Sequence, residues 1–288
     1  MADSSSRAVK HQRERLARAR VVAGIVLGVG ISLALLFPRE PLLAMLRTQK
    51  PADAVNIDFL RAALRSDDNP ELRLLLVAQE LRAGNFPAAQ RALAPLVGHA
   101  PAAYAGWVRW LHYRARVAAT YAAPAGSAAR LRGEAALRAM IPRLVTEVPS
   151  PMLPGLARDA LALDDAADAV PIYLRLARLY PARSAAFHAR AAATALSLGR
   201  YQESARLYFA AQAAAKDPSA RREYLLAAAH ALQSGNRPKQ ALAAAKTHLG
   251  TLGNDPEVLR FMVNLALAAN VPRDAAFFSR RLLGIQHG

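Results

Sequence analysis

The sequence contains no cysteine, which excludes a disulfide framework, a thiol nucleophile and any zinc or iron–sulfur site with cysteine ligands. Aromatic residues make up only 6% of the 288 residues, and β-branched residues are few beside abundant alanine, leucine and arginine. This composition disfavours a β-sheet protein and predicts an all-α fold. With 53% hydrophobic residues, the chain is too apolar to be disordered.

Motifs of catalytic and metal sites are also missing from the sequence. None of the seven histidines stands at metal-ligand spacing from a carboxylate, and no nucleophile elbow, phosphate-binding loop or dinucleotide-binding loop occurs. The paired carboxylates Asp67-Asp68 and Asp164-Asp165 lie at turns, where Asp caps helices and forms turns. We therefore expect neither an enzyme nor a metal or cofactor site.

Charge of one sign dominates the chain. Lysine and arginine number 38 against 21 acidic residues, which gives a formal net charge of +17. The basic residues are spread along the chain, which is typical of a solvated arginine-rich surface and also attracts anionic lipid, nucleic acid or an acidic partner. We expect no nucleic acid partner if the main domain lies outside the cytoplasm, as the apolar run described next predicts.

One long apolar run, residues 21–37, lacks any charged side chain. A run of 17 residues is near the lower limit for a membrane-spanning helix. Residues 1–20 hold six basic and two acidic side chains, so the positive-inside rule predicts a single-pass inner-membrane protein with a cytoplasmic N-terminus. Two alternatives stay open: a signal peptide cleaved near Ser32-Leu33-Ala34, and a buried core helix.

Within this run, Gly24 and Gly28 form a GxxxG motif. That spacing allows two membrane helices to approach closely and so predicts a homo-oligomer. The alternative interpretation is that glycine is simply common in membrane helices.

After residue 54, one turn recurs between helix-length segments. Five residues after four of these turns stands a small residue that would let the two paired helices pack closely, namely Ala89, Ala169, Ser204 and Ala275, whereas Gln240 follows the turn at Gly235. Pro101 and Pro181 end the second helix. The last three intervals of 35, 36 and 35 residues are close to the 34-residue tetratricopeptide period, and one irregular repeat with an inserted loop at residues 122–127 fills the interval of 80. The turns lie at Gly84, Asp164, Gly199, Gly235 and Asn270. At Gly84, Gly199 and Gly235, glycine is expected to supply the left-handed residue that ends a helix.

These patterns predict one transmembrane helix followed by a tetratricopeptide-like helical-repeat solenoid. The predicted divisions are a basic cytoplasmic tail at 1–20, a transmembrane helix at 21–37, a linker at 38–54 and the repeat domain at 55–288. The last helix, roughly residues 273–283, carries Phe277 and Phe278. We expect that a partner covers it, that a second copy covers it, or that the chain is the front portion of a longer architecture.

A cluster of aromatic residues is the candidate binding surface. Trp107 and Trp110 are the only tryptophans of the chain, and Tyr104 and Tyr113 continue the same spacing of three, with Arg109 between the tryptophans. Such a stripe serves as a stacking platform for sugar rings or as an anchor for a partner helix. The alternative is that these side chains fill the space around the irregular repeat.

The chain resembles the front portion of the Pel exopolysaccharide export proteins of Gram-negative bacteria. The resemblance is carried by the basic tail, the apolar run ending at Phe37-Pro38-Arg39, and the stretches 58–96, 207–212, 241–249 and 255–260. It implies a periplasmic scaffold that recruits a polysaccharide deacetylase/hydrolase and guides polymer to an outer-membrane export barrel. The barrel has no counterpart here, so the resemblance implies a truncated or split version.

Two other classes of function are compatible with the same features. One is a single-span periplasmic chaperone ancillary to the secretion translocon, which the exposed apolar end of the array favours. The other is a structural protein of envelope assembly. In each class the chain binds proteins.

Overall fold

The computed structural model of the chain describes residues 54–286, which are all-helical with no strand. Helices account for 84% of these residues. Four short 3₁₀ turns connect some of the α-helices, at 94–96, 150–152, 181–183 and 250–254. The described α-helices are α1 (Ala54–Ser66), α2 (Pro70–Arg82), α3 (Phe86–Leu93), α4 (Ala102–Ala122), α5 (Ala128–Glu147), α6 (Leu153–Ala162), α7 (Ala166–Leu179), α8 (Ser184–Ser197), α9 (Tyr201–Ala214), α10 (Pro218–Ser234), α11 (Pro238–His248), α12 (Pro256–Ala268) and α13 (Pro272–Gln286).

Five of the thirteen described α-helices begin with proline, and a capping side chain precedes three of these five. Proline is the first residue of α2, α10, α11, α12 and α13, where its missing N–H would have no helical partner. Asn69 accepts a hydrogen bond from the Glu71 N–H at 2.8 Å, and Asp217 accepts one from the Ala220 N–H at 2.9 Å. These caps satisfy backbone donors that the first helical turn leaves free.

Five helix pairs are joined by turns of identical hydrogen bonding. In each turn one residue is left-handed and donates its N–H to the carbonyl three residues back, while the next residue donates to the carbonyl five residues back. This is a Schellman motif, which ends a helix and fixes the exit angle of the chain. The left-handed residues are Gly84, Asp164, Gly199, Asn236 and Asn270, with φ between 55° and 76°.

The residue five positions after each left-handed residue is small and buried. Ala89, Ala169, Ser204 and Ala275 were all predicted to allow close helix packing, and the structure buries all four. A larger side chain at these positions would hold the paired helices apart. With consecutive pairs packed in order along the chain, the described residues form an architecture compatible with a helical repeat.

The prediction that Gly235 is the left-handed residue of the fourth turn is wrong. Asn236 takes that conformation, and Gly235 has a φ of −80°. Gly235 has another role, since a Cβ atom built there would lie 2.9 Å from the Cβ of Tyr201. Glycine is therefore required by the close approach of α9 to this turn, and Ala241, in place of Gln240, becomes the buried small residue of the pair.

The interval of 80 residues contains one additional, longer helix pair, α4 and α5. Residues 123–127 connect the two helices, in agreement with the loop predicted at 122–127. With 21 and 20 residues, α4 and α5 are the longest described helices, so this pair differs from its neighbours in length.

The predicted tail, the predicted membrane helix with Gly24 and Gly28, and all but the last residue of the linker lie outside the described residues. Within residues 54–286, no helix is both long enough and apolar enough to cross a bilayer.

Candidate functional site

A groove of about 620 Å³ runs between α2 and α4, with Met152 at one side. Its volume is within the range of ligand-binding pockets. Three of the five residues of the predicted aromatic surface line it. The lining comprises Glu71, Leu74, Leu75, Ala78, Gln79 and Arg82 from α2, and Tyr104, Trp107, Trp110 and Leu111 from α4.

The wall that α2 contributes follows from helical periodicity. Leu75 and Ala78 come one and two turns after Glu71, and Arg82 comes one turn later, so these four side chains share one helix face. Other residues of α2, such as Val77, are buried on the opposite side against α3 and the core. The helix therefore presents an aliphatic strip to α4 with a charged residue at each end.

Trp110 is a structural part of the groove floor. It packs against two buried clusters, one extending toward α2 and the other toward α6 and α7. A Cβ atom built on Gly155 would lie 3.3 Å from the Trp110 ring, so the absence of a side chain at Gly155 allows the indole to lie across α6. Trp110 therefore packs α4 against α6 and at the same time forms part of the groove floor.

Charged residues brace the other side of Trp110. The Arg114 guanidinium lies 5.6 Å from the centre of the Trp110 ring and 3.2 Å from the carboxylate of Asp159 on α6. Burial raises the pKa of Asp159 above its usual value, an effect that the Arg114 charge offsets only in part. The cation–π contact and the ion pair together fix the indole orientation.

Tyr113 lies in the core and does not belong to the accessible surface with which it was grouped. Its side chain is 0% exposed, with its ring centre 5.8 Å from that of Trp110. Burial, together with the nearby Asp159 carboxylate, raises the pKa of the Tyr113 phenol far above its usual value. The spacing of three along α4 does not keep residues on one face, because a helix turns once every 3.6 residues.

Trp107 is the accessible aromatic of the groove, with 38% of its surface exposed. Tyr104 is partly buried one turn earlier on the same face. Arg109 does not line the groove; it forms an ion pair with Glu147 at 3.3 Å, on the side of α4 that faces α5. Of the predicted contact residues, Tyr104, Trp107 and Trp110 are therefore brought together, whereas Arg109 and Tyr113 point elsewhere.

The α2 wall was missed by the sequence analysis. Its signal is the sequence Glu71-Leu72-Arg73-Leu74-Leu75, in which apolar residues occupy more than one helix face. A helix that packs only against its paired helix needs one apolar face. The additional leucines of α2 therefore indicate a second packing surface.

The chemistry of the site is that of a binding surface. The lining is largely apolar and offers one amide, one carboxylate and one guanidinium besides the aromatic N–H and O–H groups. Groups of three or more metal-ligating side chains are absent from residues 54–286. Residues 54–286 contain 29 basic and 17 acidic side chains, so this part of the chain carries a positive net charge.

Comparison of the chain with protein-family models, with curated proteins and with solved structures found no match.

Proposed function

We propose that this chain is a membrane-anchored scaffold of tetratricopeptide-like repeats that binds proteins on the periplasmic side of the inner membrane. The observation that carries the proposal is the groove between α2 and α4, where an exposed tryptophan lies opposite an aliphatic wall. Aromatic side chains in apolar grooves dominate the energetics of protein recognition. The five identical Schellman turns and their buried small residues support the repeat type.

The resemblance to Pel export proteins adds the biological setting of the proposal. In that setting the chain recruits a polysaccharide deacetylase/hydrolase and connects it to an outer-membrane export barrel. The excess of basic residues supports a scaffold for enzymes over a channel for polymer, because a positive surface repels the partly cationic polymer that the resemblance implies.

A chaperone ancillary to the secretion translocon is the second candidate function. It is favoured by the exposed apolar side chains of α13, where Phe277 is 50% exposed and Leu283 is 53% exposed. Chaperones bind many unfolded segments through such surfaces, whereas a scaffold binds specific folded partners through defined sites.

Site-specific photo-crosslinking in cells separates the two functions. A photoreactive phenylalanine analogue replaces Trp107 in the full chain, and the same analogue at Phe277 serves as the matched control. Capture of a polysaccharide-modifying enzyme or an export barrel through position 107, but not through position 277, supports the scaffold. Capture of translocon subunits and assorted exported proteins at both positions would replace the scaffold with the chaperone.

A further inference from the structure

We propose that the groove between α2 and α4 binds an amphipathic helix of a partner protein, with an acidic first turn of that helix placed against Arg82. The inference rests on the proposed function of protein binding and specifies the segment of the partner that is recognised. It also fixes the direction of that helix, antiparallel to α2.

The dimensions of the groove fit a short helix. Glu71 and Arg82 mark its two ends and lie 11 positions apart on α2, a rise of about 16 Å. Three turns of a bound helix span the same length and present apolar residues at positions i, i+3, i+4 and i+7. Those residues would pack between Leu75 and Ala78 on one side and Trp107 on the other.

The buried amide of Gln79 points to a donor on the occupant. Gln79 lines the groove, is only 1% exposed, and its Oε1 has no hydrogen-bond partner among the described residues. A buried acceptor without a partner is destabilising, and a rotation of the amide toward an occupant that supplies an N–H removes that cost. The first turn of a helix carries backbone N–H groups without helical partners, so it supplies such donors.

Arg82 points to an acidic residue in the same place. It lies one turn after Gln79, is exposed, and its guanidinium forms no ion pair or hydrogen bond with another described residue. Aspartate and glutamate are favoured in the first turn of a helix because they interact with its positive end. The N-terminal end of one bound helix thus supplies an N–H donor for Gln79 and a carboxylate for Arg82. Because both residues lie at the C-terminal end of α2, the bound helix runs antiparallel to α2.

The overall charge favours the same occupant. Residues 54–286 carry a formal net charge of +12, which attracts an acidic segment and repels a basic one. A sugar chain fits the groove less well. Although Trp107 could stack on a sugar ring, the opposite wall carries Leu74, Leu75 and Ala78 along most of its length, and these side chains offer no partners for the hydroxyl groups of the sugar.

The test uses the full chain in nanodiscs of phosphatidylcholine, with empty nanodiscs as the blank. The probe is a fluorescein-labelled amphipathic peptide of about 14 residues with glutamate in its first turn and lysine in its last. A second peptide of the same composition exchanges the two charges. Fluorescence anisotropy should show tighter binding of the acidic-first peptide by about fivefold, the range of one exposed charge pair.

Charge reversal at Arg82 provides the decisive comparison. Arg82→Glu should reverse the preference between the two peptides, whereas Arg91→Glu, the same charge change on an exposed residue of α3, should leave it unaltered. Trp107→Ala should weaken both peptides, and Phe277→Ala should weaken neither. Circular dichroism of each variant verifies that the helical content is retained.

Equal binding of the two peptides, or an unchanged preference in Arg82→Glu, would overturn the inference. Binding of cellohexaose that is lost in Trp107→Ala would also overturn it and assign the groove to polysaccharide. Failure of this inference can be distinguished from failure of the proposed function. Crosslinking of an export protein through an extended or basic segment preserves the scaffold and rejects the helix, whereas peptide discrimination without any envelope partner preserves the helix and rejects the scaffold.

Discussion

Some single residues of this protein matter because their lack of a side chain allows neighbouring helices to approach closely. Gly235 is the clearest case, because a methyl group at that position would meet the Cβ of Tyr201 at 2.9 Å. The Tyr201 Cβ is fixed to the backbone of α9 and cannot rotate away. Relief would therefore require α9 to move relative to the turn after α10.

Gly235→Ala should lower the free energy of unfolding by about 1–3 kcal/mol, the usual cost of overpacking. Urea denaturation followed by circular dichroism measures the change. Gly284→Ala is the matched control, since a Cβ there meets no atom within 4 Å and lies in a helix where alanine is favoured. Equal stability of Gly235→Ala and the native chain would show that α9 adapts without cost.

Asp255 links stability to pH. Burial alone would raise its pKa, but the backbone N–H groups of Val258 and Glu257 and the Arg222 guanidinium hold the pKa below its usual 3.8. The carboxylate accepts hydrogen bonds from Glu257 N at 2.9 Å, Val258 N at 3.1 Å and Arg222 Nη1 at 3.0 Å. The ionised form is therefore bound more strongly in the folded state than in the unfolded state.

Asp255→Ala should lower the free energy of unfolding by about 1 kcal/mol at pH 7, as expected for a lost N-cap. A depressed folded-state pKa stabilises the fold above the unfolded value, so the difference should be full above pH 3.8 and shrink as pH falls through the lower folded-state pKa. Asp255→Asn keeps a capping oxygen without the charge, so its free energy of unfolding at pH 7 should lie between those of Asp255→Ala and the native chain. A difference for Asp255→Ala that is the same at pH 2 and pH 7 would contradict this account.

At the scale of helices, the sequence predicted which helices form pairs better than it predicted which helix faces pack against each other. Helix ends were readable because Pro, Gly, Asn and Asp act locally, and the five turns were recognised within one residue. The exception was Gly235-Asn236, where both residues tolerate the left-handed conformation and Asn236 adopts it, while Gly235 lies against the distant Tyr201. Local sequence does not contain that information.

The sequence predicted the α4 side of the candidate site but not its α2 side, and the reason is again that tertiary packing is not written in local sequence. The aromatic residues of α4 were found because tryptophan is rare in this chain. The sequence did not predict which of them line the groove and which are buried in the core. Trp107 and Tyr113 each lie three residues from Trp110, yet Trp107 is exposed and Tyr113 is buried. The α2 wall depends on how the unusually long α4 crosses its neighbour, which is set by tertiary packing.

The contact between α4 and α6 can be tested at Gly155. A leucine at this position would displace the Trp110 ring, because even the first carbon atom of the side chain approaches it to 3.3 Å. Gly155→Leu should reduce stability by about 1–3 kcal/mol and shift the tryptophan fluorescence maximum to longer wavelength. Gly155→Ala is the graded control and should change both quantities much less. An unshifted emission spectrum in Gly155→Leu would mean that Trp110 does not lie on α6.

For the whole molecule, the decisive property is the combination of a positive array with one apolar groove. The charges are distributed over all the helices, and only some are paired, so the field extends beyond any single site. Such a field accelerates the encounter with an acidic partner, whereas the apolar groove determines how long the complex lasts. Association and dissociation should therefore respond differently to salt.

Raising the ionic strength from about 0.05 M to about 0.5 M should lower the association rate constant of the acidic-first peptide about tenfold, because the screening length falls well below the size of the array. The dissociation rate constant should change less than about twofold, since apolar contacts with Trp107 and Leu75 are not screened. Stopped-flow anisotropy measures both constants. The Trp107→Ala variant should show the converse, with unchanged association and faster dissociation. A salt effect confined to dissociation would place the charge recognition inside the groove and not in the field of the array.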